Sequence, residues 1–142
     1  MPSFGRKSLA HLGTCHVDAQ VIMAMVIKEF DCTILEGHRS HELQEQFFRD
    51  KLTTKRGGQS LHNRRPSMAW HAMPWFATKP HVDWKHRESM QHLAGYIRGT
   101  AAHLLQVGLI SHAVRWGGDW DRDFDVREEQ WDDFAHYELR QP

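Results

Sequence analysis

Apolar side chains recur along the chain at two different spacings, and these spacings divide it into helices and strands. A spacing of three and four residues places apolar groups on one face of a helix. It predicts helices over residues 8–12, 17–30, 40–52 and 83–107. The apolar face of the last helix comprises Met90, Leu93, Ala94, Ile97, Ala101, Leu104 and Leu105. Its length predicts that this helix is the central packing element of the core.

Short runs of β-branched, aromatic and other apolar residues predict strands over residues 32–35, 67–73, 113–116 and 134–139. Residues 55–59 are glycine-rich and polar, which predicts a loop, and an acidic loop over 119–132 follows a turn at 117–118. No repeat or linker interrupts this order, so we expect one domain, residues 1–142. The predicted fold class is α+β, with a small antiparallel sheet packed against helices.

The charge balance argues against some classes of protein. Eighteen basic and eighteen acidic residues cancel over 142 residues, so no net charge draws the chain to nucleic acid or to an anionic membrane. No apolar run is long enough to span a bilayer, and the basic N-terminus lacks the long apolar core of a signal peptide. We therefore expect a monomer made in the cytoplasm that binds neither nucleic acid nor membrane.

Three of the twelve histidines lie at spacings that suit a metal site. His62 and His71 are nine positions apart in a loop and the strand that follows it, and His136 lies in the last predicted strand. A catalytic zinc ion takes three protein ligands and keeps its fourth position for water, whose pKa falls to about 7. We therefore predict that these imidazoles are the metal ligands and that zinc is the cofactor.

Asp133 precedes His136 by three residues and is predicted to be the general base of a hydrolase. Successive side chains of a strand alternate between its faces, so residues three apart point in opposite directions. We therefore expect the backbone between Asp133 and His136 to be turned rather than extended. Taken singly, each motif has an ordinary alternative: a polar turn around His62, and a solvated strand edge at residues 133–136.

Further motifs occur over residues 4–9, 34–40, 57–63, 66–69, 115–120 and 132–139, together with Gln44 and Gln46. Their order and spacing resemble the zinc peptidases that include D-alanyl-D-alanine carboxypeptidases and dipeptidases and phage L-alanyl-D-glutamate endopeptidases. The resemblance implies that His62 and His136 bind zinc and that Asp133 is the general base. It also implies that Arg39, in a Gly-x-Arg-Ser segment, binds substrate and stabilises charge near the scissile carbonyl.

The chain departs from the family pattern at His71. The pattern has an aspartate there as the third zinc ligand, whereas here a histidine follows Ala69 and Trp70. Histidine is itself a good zinc ligand, and an all-histidine site leaves the metal centre one unit more positive. Two alternatives stay open: His71 points away and leaves a weak two-histidine site, or the substitution has removed activity.

The resemblance implies a peptidoglycan peptidase that cuts stem peptides, namely a phage endolysin of the L-alanyl-D-glutamate type that acts on the cell wall after release from the host cytoplasm. A D-alanyl-D-alanine carboxypeptidase or dipeptidase is the alternative with the same chemistry. A degenerate, non-catalytic wall-binding protein is the alternative from another class. We expect further substrate contacts from Ser60, Trp116 and Asp119. The acids of residues 119–125 leave a weak calcium-loop pattern open.

Overall fold

The computed structural model describes residues 1–127 and 132–142. Its helices are α1 (Arg6–Leu12), α2 (Val17–Val26), α3 (His41–Arg49) and α4 (Arg87–Gln106), with a short 3-10 helix, η1 (Leu61–Asn63). Its strands are β1 (Cys32–Glu36), β2 (Ala69–Pro74), β3 (Ala113–Gly117) and β4 (Asp133–Arg140). The predicted α+β class is confirmed. Within the described ranges, no helix combines the length and the apolarity needed to cross a membrane.

The four strands form one antiparallel sheet in the order β1-β2-β4-β3. The central strands, β2 and β4, are therefore far apart in sequence. Their register places His71 directly opposite His136, and Trp70 opposite Tyr137. Because neighbouring side chains on a strand point to opposite faces, one face of this pair carries the two histidines and the other carries the two aromatic rings.

The helices build the hydrophobic core on the aromatic face of the sheet. α4 packs against α2 and against β2, β3 and β4, whereas α1 packs against β1. The apolar face predicted for α4 lies in this core, where Leu93 and Ile97 are fully buried. Trp70 and Tyr137 are also fully buried and stack with their ring centroids 5.7 Å apart. The core therefore leaves the histidine face of the sheet available for a polar site.

Three helices are shorter than their periodicity predicts, and the local backbone accounts for the difference. α2 ends at Val26, and residues 27–30 continue only as turns. α3 ends shortly before Lys51, whose left-handed backbone (φ 57°) is incompatible with a continued helix. α4 begins at Arg87 because the side chain of His86 caps its N-terminus and accepts a backbone hydrogen bond.

The Tyr137 hydroxyl is buried without a hydrogen-bond partner among the described residues. An unpaired buried polar group costs about 1–3 kcal/mol. We therefore expect Tyr137→Phe to leave the free energy of unfolding unchanged or to raise it by up to about 1 kcal/mol, measured by chemical denaturation. Tyr96→Phe, at a position that is 37% exposed, is the control and should change it by less than about 0.5 kcal/mol. A clear loss of stability in Tyr137→Phe would show that the hydroxyl is hydrogen-bonded.

Candidate metal centre

Three histidines from separate elements meet on the polar face of the sheet. η1 supplies His62, β2 supplies His71 and β4 supplies His136. His62 Nε2 lies 3.3 Å from His71 Nε2 and 3.3 Å from His136 Nδ1, and the last two nitrogens are 3.2 Å apart. The three atoms form a nearly equilateral triangle, which we call the histidine triangle. The structure thus brings the three predicted ligands together, and His71 points toward the other two.

The outer ring nitrogens of two of these histidines are hydrogen-bonded, and this sets their tautomers. His62 Nδ1 lies 2.7 Å from the carbonyl oxygen of Gly37, and His136 Nε2 lies 2.8 Å from Oε1 of Glu138. A carbonyl and a carboxylate can only accept, so both outer nitrogens carry the proton. The inner nitrogen of each neutral imidazole then presents a lone pair to the triangle. A cation stabilises such an arrangement, and outer partners of this kind are typical of metal-bound histidines.

The histidine triangle has the size that a tetrahedral zinc ion requires. Zinc–nitrogen bonds are about 2.0–2.1 Å long, so a tetrahedral angle between two of them separates the nitrogens by about 3.3–3.4 Å. The observed separations are 3.2–3.3 Å. Neutral imidazole is also a common zinc ligand. The donor set and its spacing therefore fit zinc, with one tetrahedral position left for water or substrate.

Burial and mutual repulsion keep the imidazoles of His62 and His71 unprotonated. Burial, together with the neighbouring His71 and His136, lowers the pKa of His62 to about 2. Burial also lowers the pKa of His71 to about 4, although the carboxylate of Asp133 opposes this shift. Burial on its own would raise the pKa of Glu138, but the hydrogen bond from His136 and the nearby arginines lower it to about 2. His62 and His71 are thus neutral donors, as metal binding requires, while Glu138 stays an ionised acceptor.

Asp133 lies at the rim of the histidine triangle. Its Oδ2 is 3.8 Å from His71 Nε2, and its side chain is 47% exposed. Asp133 and His136 both belong to β4, whereas we expected a turn between them. The register explains how they reach the same site: Gly117 pairs with Asp133 where a regular ladder would place His136, so β4 carries three extra residues in a bulge. Because of this bulge, Asp133 and His136 do not follow the regular alternation of a strand, which would place their side chains on opposite faces.

An open cavity of about 350 Å³ lies over the histidine triangle. It is lined by the predicted residues Arg39, Ser60, His62, His71, Asp133 and His136, and also by Glu138 and Trp120. A larger open cavity of about 1010 Å³ adjoins it and shares Thr53, Thr54 and Trp120 with it. The histidines therefore face a cleft that is open to solvent.

Arg39 reaches the cavity, but several of its donors are already engaged. Its Nε donates to the Glu36 carboxylate at 3.2 Å, and Nη2 donates to the other oxygen of that carboxylate. Its Nη1 donates to Oε1 of Gln44 at 2.9 Å, and the guanidinium stacks 4.7 Å from the centroid of the Phe47 ring. The structure thus shows a largely buried ion pair at the position where we predicted a substrate contact.

Ser60 lines the cavity and also positions a ligand. Its Oγ accepts a hydrogen bond from the backbone N of His62 at 3.2 Å, while its own backbone N donates to Oδ1 of Asn63 at 3.1 Å. This reciprocal capping box begins η1, and it thereby sets the direction from which His62 enters the site.

Trp116, also predicted as a substrate contact, lies in the core rather than at the cavity. It is 2% exposed, and its Nε1 donates to the carbonyl oxygen of Phe134 at 2.8 Å. The chain turns closely over its ring, because a Cβ on Gly118 would lie 2.3 Å from a ring atom. Another tryptophan, Trp120, lines the cavity instead, with its ring centroid 5.3 Å from that of His136.

Asp119, the third predicted substrate contact, is fully buried away from the cavity. Its carboxylate accepts a hydrogen bond from Arg98 at 2.7 Å and from the backbone N of Asp123 and of Phe124, each at 3.2 Å. Asp119, Asp121 and Asp123 could together offer oxygen ligands to a cation. However, the bonds to Arg98 and to the backbone already account for how Asp119 holds this loop, so the calcium interpretation gains no support.

A second group of possible metal ligands comprises His16, Asp18 and His112. His16 Nδ1 accepts a hydrogen bond from the backbone N of Asp18 at 3.0 Å, which caps α2. The Oδ2 atom of Asp18 lies 2.7 Å from His112 Nδ1 and also accepts from the backbone N of Ser111 at 2.9 Å. These hydrogen bonds already use His16 Nδ1, Asp18 Oδ2 and His112 Nδ1, the atoms that a metal ion would need. The group therefore connects α2 to the segment before β3 and does not resemble a metal site.

Two carboxylates beside the histidine triangle, Glu138 and Glu36, were not predicted from the sequence. Glu138 follows His136 by two residues, so strand alternation alone could have placed both on one face. Its carboxylate also accepts from Arg115 at 2.8 Å and from Arg140 at 2.5 Å. Glu36 had no comparable signal, because its position depends on an irregular pairing between β1 and β2.

These features define an α+β protein with a candidate metal centre and an adjacent carboxylate, the arrangement of a metal-dependent hydrolase. A family model described as phage L-alanyl-D-glutamate peptidase matches residues 2–140. The chain belongs to this family, which confirms the predicted family and its class, a peptidase acting on peptidoglycan. No curated protein matches the chain.

The fold is also similar to the crystal structure of the Serratia marcescens L-Ala D-Glu endopeptidase ChiX. The TM-score is 0.73 at 19% sequence identity, and the match covers 98% of this chain and 91% of that one. At this identity the likeness concerns the fold.

The metal-free protein should lose stability as the pH falls below 6.5. The pKa of His71 is about 4 in the folded protein against a usual value of 6.5, so the unfolded chain binds more protons between these values. This contribution is complete above about pH 6.5 and is lost as the pH falls toward 4. With a chelator present, we expect the contribution of His71 to the free energy of unfolding to fall by on the order of 1–2 kcal/mol between pH 7.5 and 5, and His62, whose pKa is also lowered, adds to the decline. His71→Gln should make the decline shallower, and an equally steep decline would contradict this explanation.

Proposed function

We propose that this protein is a zinc-dependent endopeptidase that hydrolyses the L-alanyl-D-glutamate bond in peptidoglycan stem peptides. The observation that carries the proposal is the histidine triangle, with nitrogens 3.2–3.3 Å apart, lining an open cavity that Asp133 also lines. Membership of the phage L-alanyl-D-glutamate peptidase family supports the choice of bond. As an endolysin, the protein would be made in the host cytoplasm and act as a monomer on the cell wall after release.

His62, His71 and His136 are the residues that would hold zinc. When bound there, zinc supplies Lewis acidity, which lowers the pKa of water to about 7 and polarises a carbonyl group. The three imidazoles carry no charge, so the full positive charge of the ion is available for this chemistry. The carbonyl of Gly37 and the carboxylate of Glu138 fix the ligand orientations on the outer side.

Asp133 is the proposed general base. Its carboxylate lines the cavity and is partly exposed, so it can accept a proton from a water molecule that attacks a peptide carbonyl bound there. A carbon–oxygen bond forms at that carbonyl and the carbon–nitrogen bond breaks. The proton then passes from Asp133 to the departing amine, which leaves the carboxylate ionised for another cycle.

Arg39 and the cleft supply the proposed contacts to the substrate. The guanidinium of Arg39 lines the same cavity, and its charge would stabilise the scissile carbonyl oxygen while two of its nitrogens hold Glu36. The adjoining cavity of about 1010 Å³ extends the cleft past Trp120. An open cleft of this kind suits a stem peptide attached to a polymer better than a free dipeptide.

The bond cleaved can be identified by digesting purified peptidoglycan and weighing the products. We expect fragments with a new D-glutamate amino terminus, because hydrolysis then occurs at the L-alanyl-D-glutamate bond. Release of terminal D-alanine would instead support the carboxypeptidase alternative. Binding of zinc and of peptidoglycan without any cleavage would support the non-catalytic wall-binding alternative.

The role of Asp133 can be tested with Asp133→Asn, which keeps the size of the side chain but removes its basicity. We expect kcat to fall by about 10²–10⁴-fold, the usual contribution of general acid–base catalysis, while zinc is still bound. Asp132→Asn is the matched control, since Asp132 forms an ion pair with Arg87 and does not line the cavity over the histidine triangle. An active Asp133→Asn variant would remove Asp133 from the mechanism.

A further inference from the structure

Glu36 reaches the histidine triangle because β1 contains a bulge. Ile34 pairs with Ala72, so a regular ladder would place Leu35 opposite His71. Glu36 pairs with His71 instead, which leaves Leu35 as one extra residue in β1. A bulge of this kind re-aims the side chains that follow it. Here it brings a carboxylate next to the third ligand.

The carboxylate of Glu36 faces the outer edges of two ligands. Its Oε1 lies 3.6 Å from His62 Nδ1 and 3.9 Å from His71 Nδ1. His62 Nδ1 already has an acceptor, the carbonyl oxygen of Gly37 at 2.7 Å. Among the ion pairs of the described residues, Glu36 is the acid that approaches the outer nitrogen of His71, Nδ1. The other acid near His71, Asp133, approaches its inner nitrogen, Nε2.

The Glu36 side chain is held in this position by a set of its own contacts. Arg39 donates to both of its oxygens, and Arg39 in turn donates to Oε1 of Gln44 at 2.9 Å. Gln44 is fully buried, and its Nε2 donates to the carbonyl oxygen of Lys55 at 2.8 Å. The guanidinium also rests on Phe47. This network connects β1, α3 and the loop after α3, so the carboxylate has little freedom to turn away.

We propose that Glu36 is a positioning residue for the third metal ligand: it acts as the acceptor for the Nδ1 proton of His71. Each ligand then has an outer partner, which is Gly37 for His62 at 2.7 Å, Glu138 for His136 at 2.8 Å and Glu36 for His71. Because Oε1 of Glu36 is 3.9 Å from His71 Nδ1, the hydrogen bond requires one of these two side chains to approach the other by about 1 Å. An acceptor at Nδ1 keeps the lone pair of His71 on Nε2, facing the triangle. Arg39 contributes by aiming the carboxylate. The inference rests on the proposed zinc function.

The experiment measures zinc affinity by competition with a chromophoric chelator at pH 7.5. We expect Glu36→Gln to weaken zinc binding by about 10- to 100-fold, the effect usual for the outer partner of a ligand. Glu42→Gln is the matched control, because it removes the same charge from an exposed site in the first turn of α3. It should change the affinity by less than about 3-fold, well below the effect of losing an outer partner.

The same measurement in a His71→Asp background separates positioning from a purely structural role. An aspartate ligand has no Nδ1 proton to donate, so Glu36→Gln should then change zinc affinity by less than about 3-fold, below the effect of losing an outer partner. An equal loss in both backgrounds, or no loss in the parent, would overturn the proposal. If the parent itself binds no zinc, the proposed function fails first and the inference fails with it.

A second measurement on the parent does not depend on how Glu36→Gln folds. In the zinc-bound protein labelled with nitrogen-15 at histidine, we expect His71 to show the Nδ1-protonated tautomer with a hydrogen-bonded Nδ1 proton. His71→Asp assigns this signal by its loss, and Glu36→Asp, which retains the charge on a shorter side chain, should move it upfield. A His71 Nδ1 proton in rapid exchange with water would contradict the proposal.

Discussion

The convergence of three imidazole nitrogens on one point is the constraint on which the rest of this site depends. The nitrogens are 3.2–3.3 Å apart, and two of them cannot donate because the outer nitrogens of their rings carry the proton. Taking up a further proton is disfavoured, since burial and the other histidines lower the pKa of His62 to about 2. One cation can bind all three nitrogens together. The geometry therefore explains why metal chemistry is the function best supported here.

The sheet makes this arrangement possible by separating two environments. On one face of β2 and β4, Trp70 and Tyr137 stack in the hydrophobic core under α4. On the other face, His71 and His136 are direct cross-strand partners. The packed face holds the strands in register, so the two ligands can be placed without help from a flexible loop. Only one ligand, His62, comes from outside the sheet, and its 3-10 helix begins at a capping box.

Departures from regular pairing place the acids around the histidine triangle. The bulge in β4 brings Asp133 to the rim of the triangle, and the bulge in β1 brings Glu36 to its outer edge. Glu138 needs no bulge, because it lies two residues after His136 on the same face. Its buried carboxylate is offset by Arg115 and Arg140, as a buried charge must be. Arg39 has the same relation to Glu36, which explains why its donors are engaged within the protein.

The sequence by itself determined the elements and the chemistry of the donors. Apolar spacing predicted α4 and the four strands, and the types and spacing of His62, His71, His136 and Asp133 predicted a metal hydrolase. Only the tertiary structure decided that Trp116 belongs to the core while Trp120 lines the cavity, and that Glu36 flanks the ligands. The physical reason is the separation along the chain of the residues that interact. Periodicity and capping involve residues a few positions apart, whereas strand register, bulges and burial depend on partners that are distant in the chain.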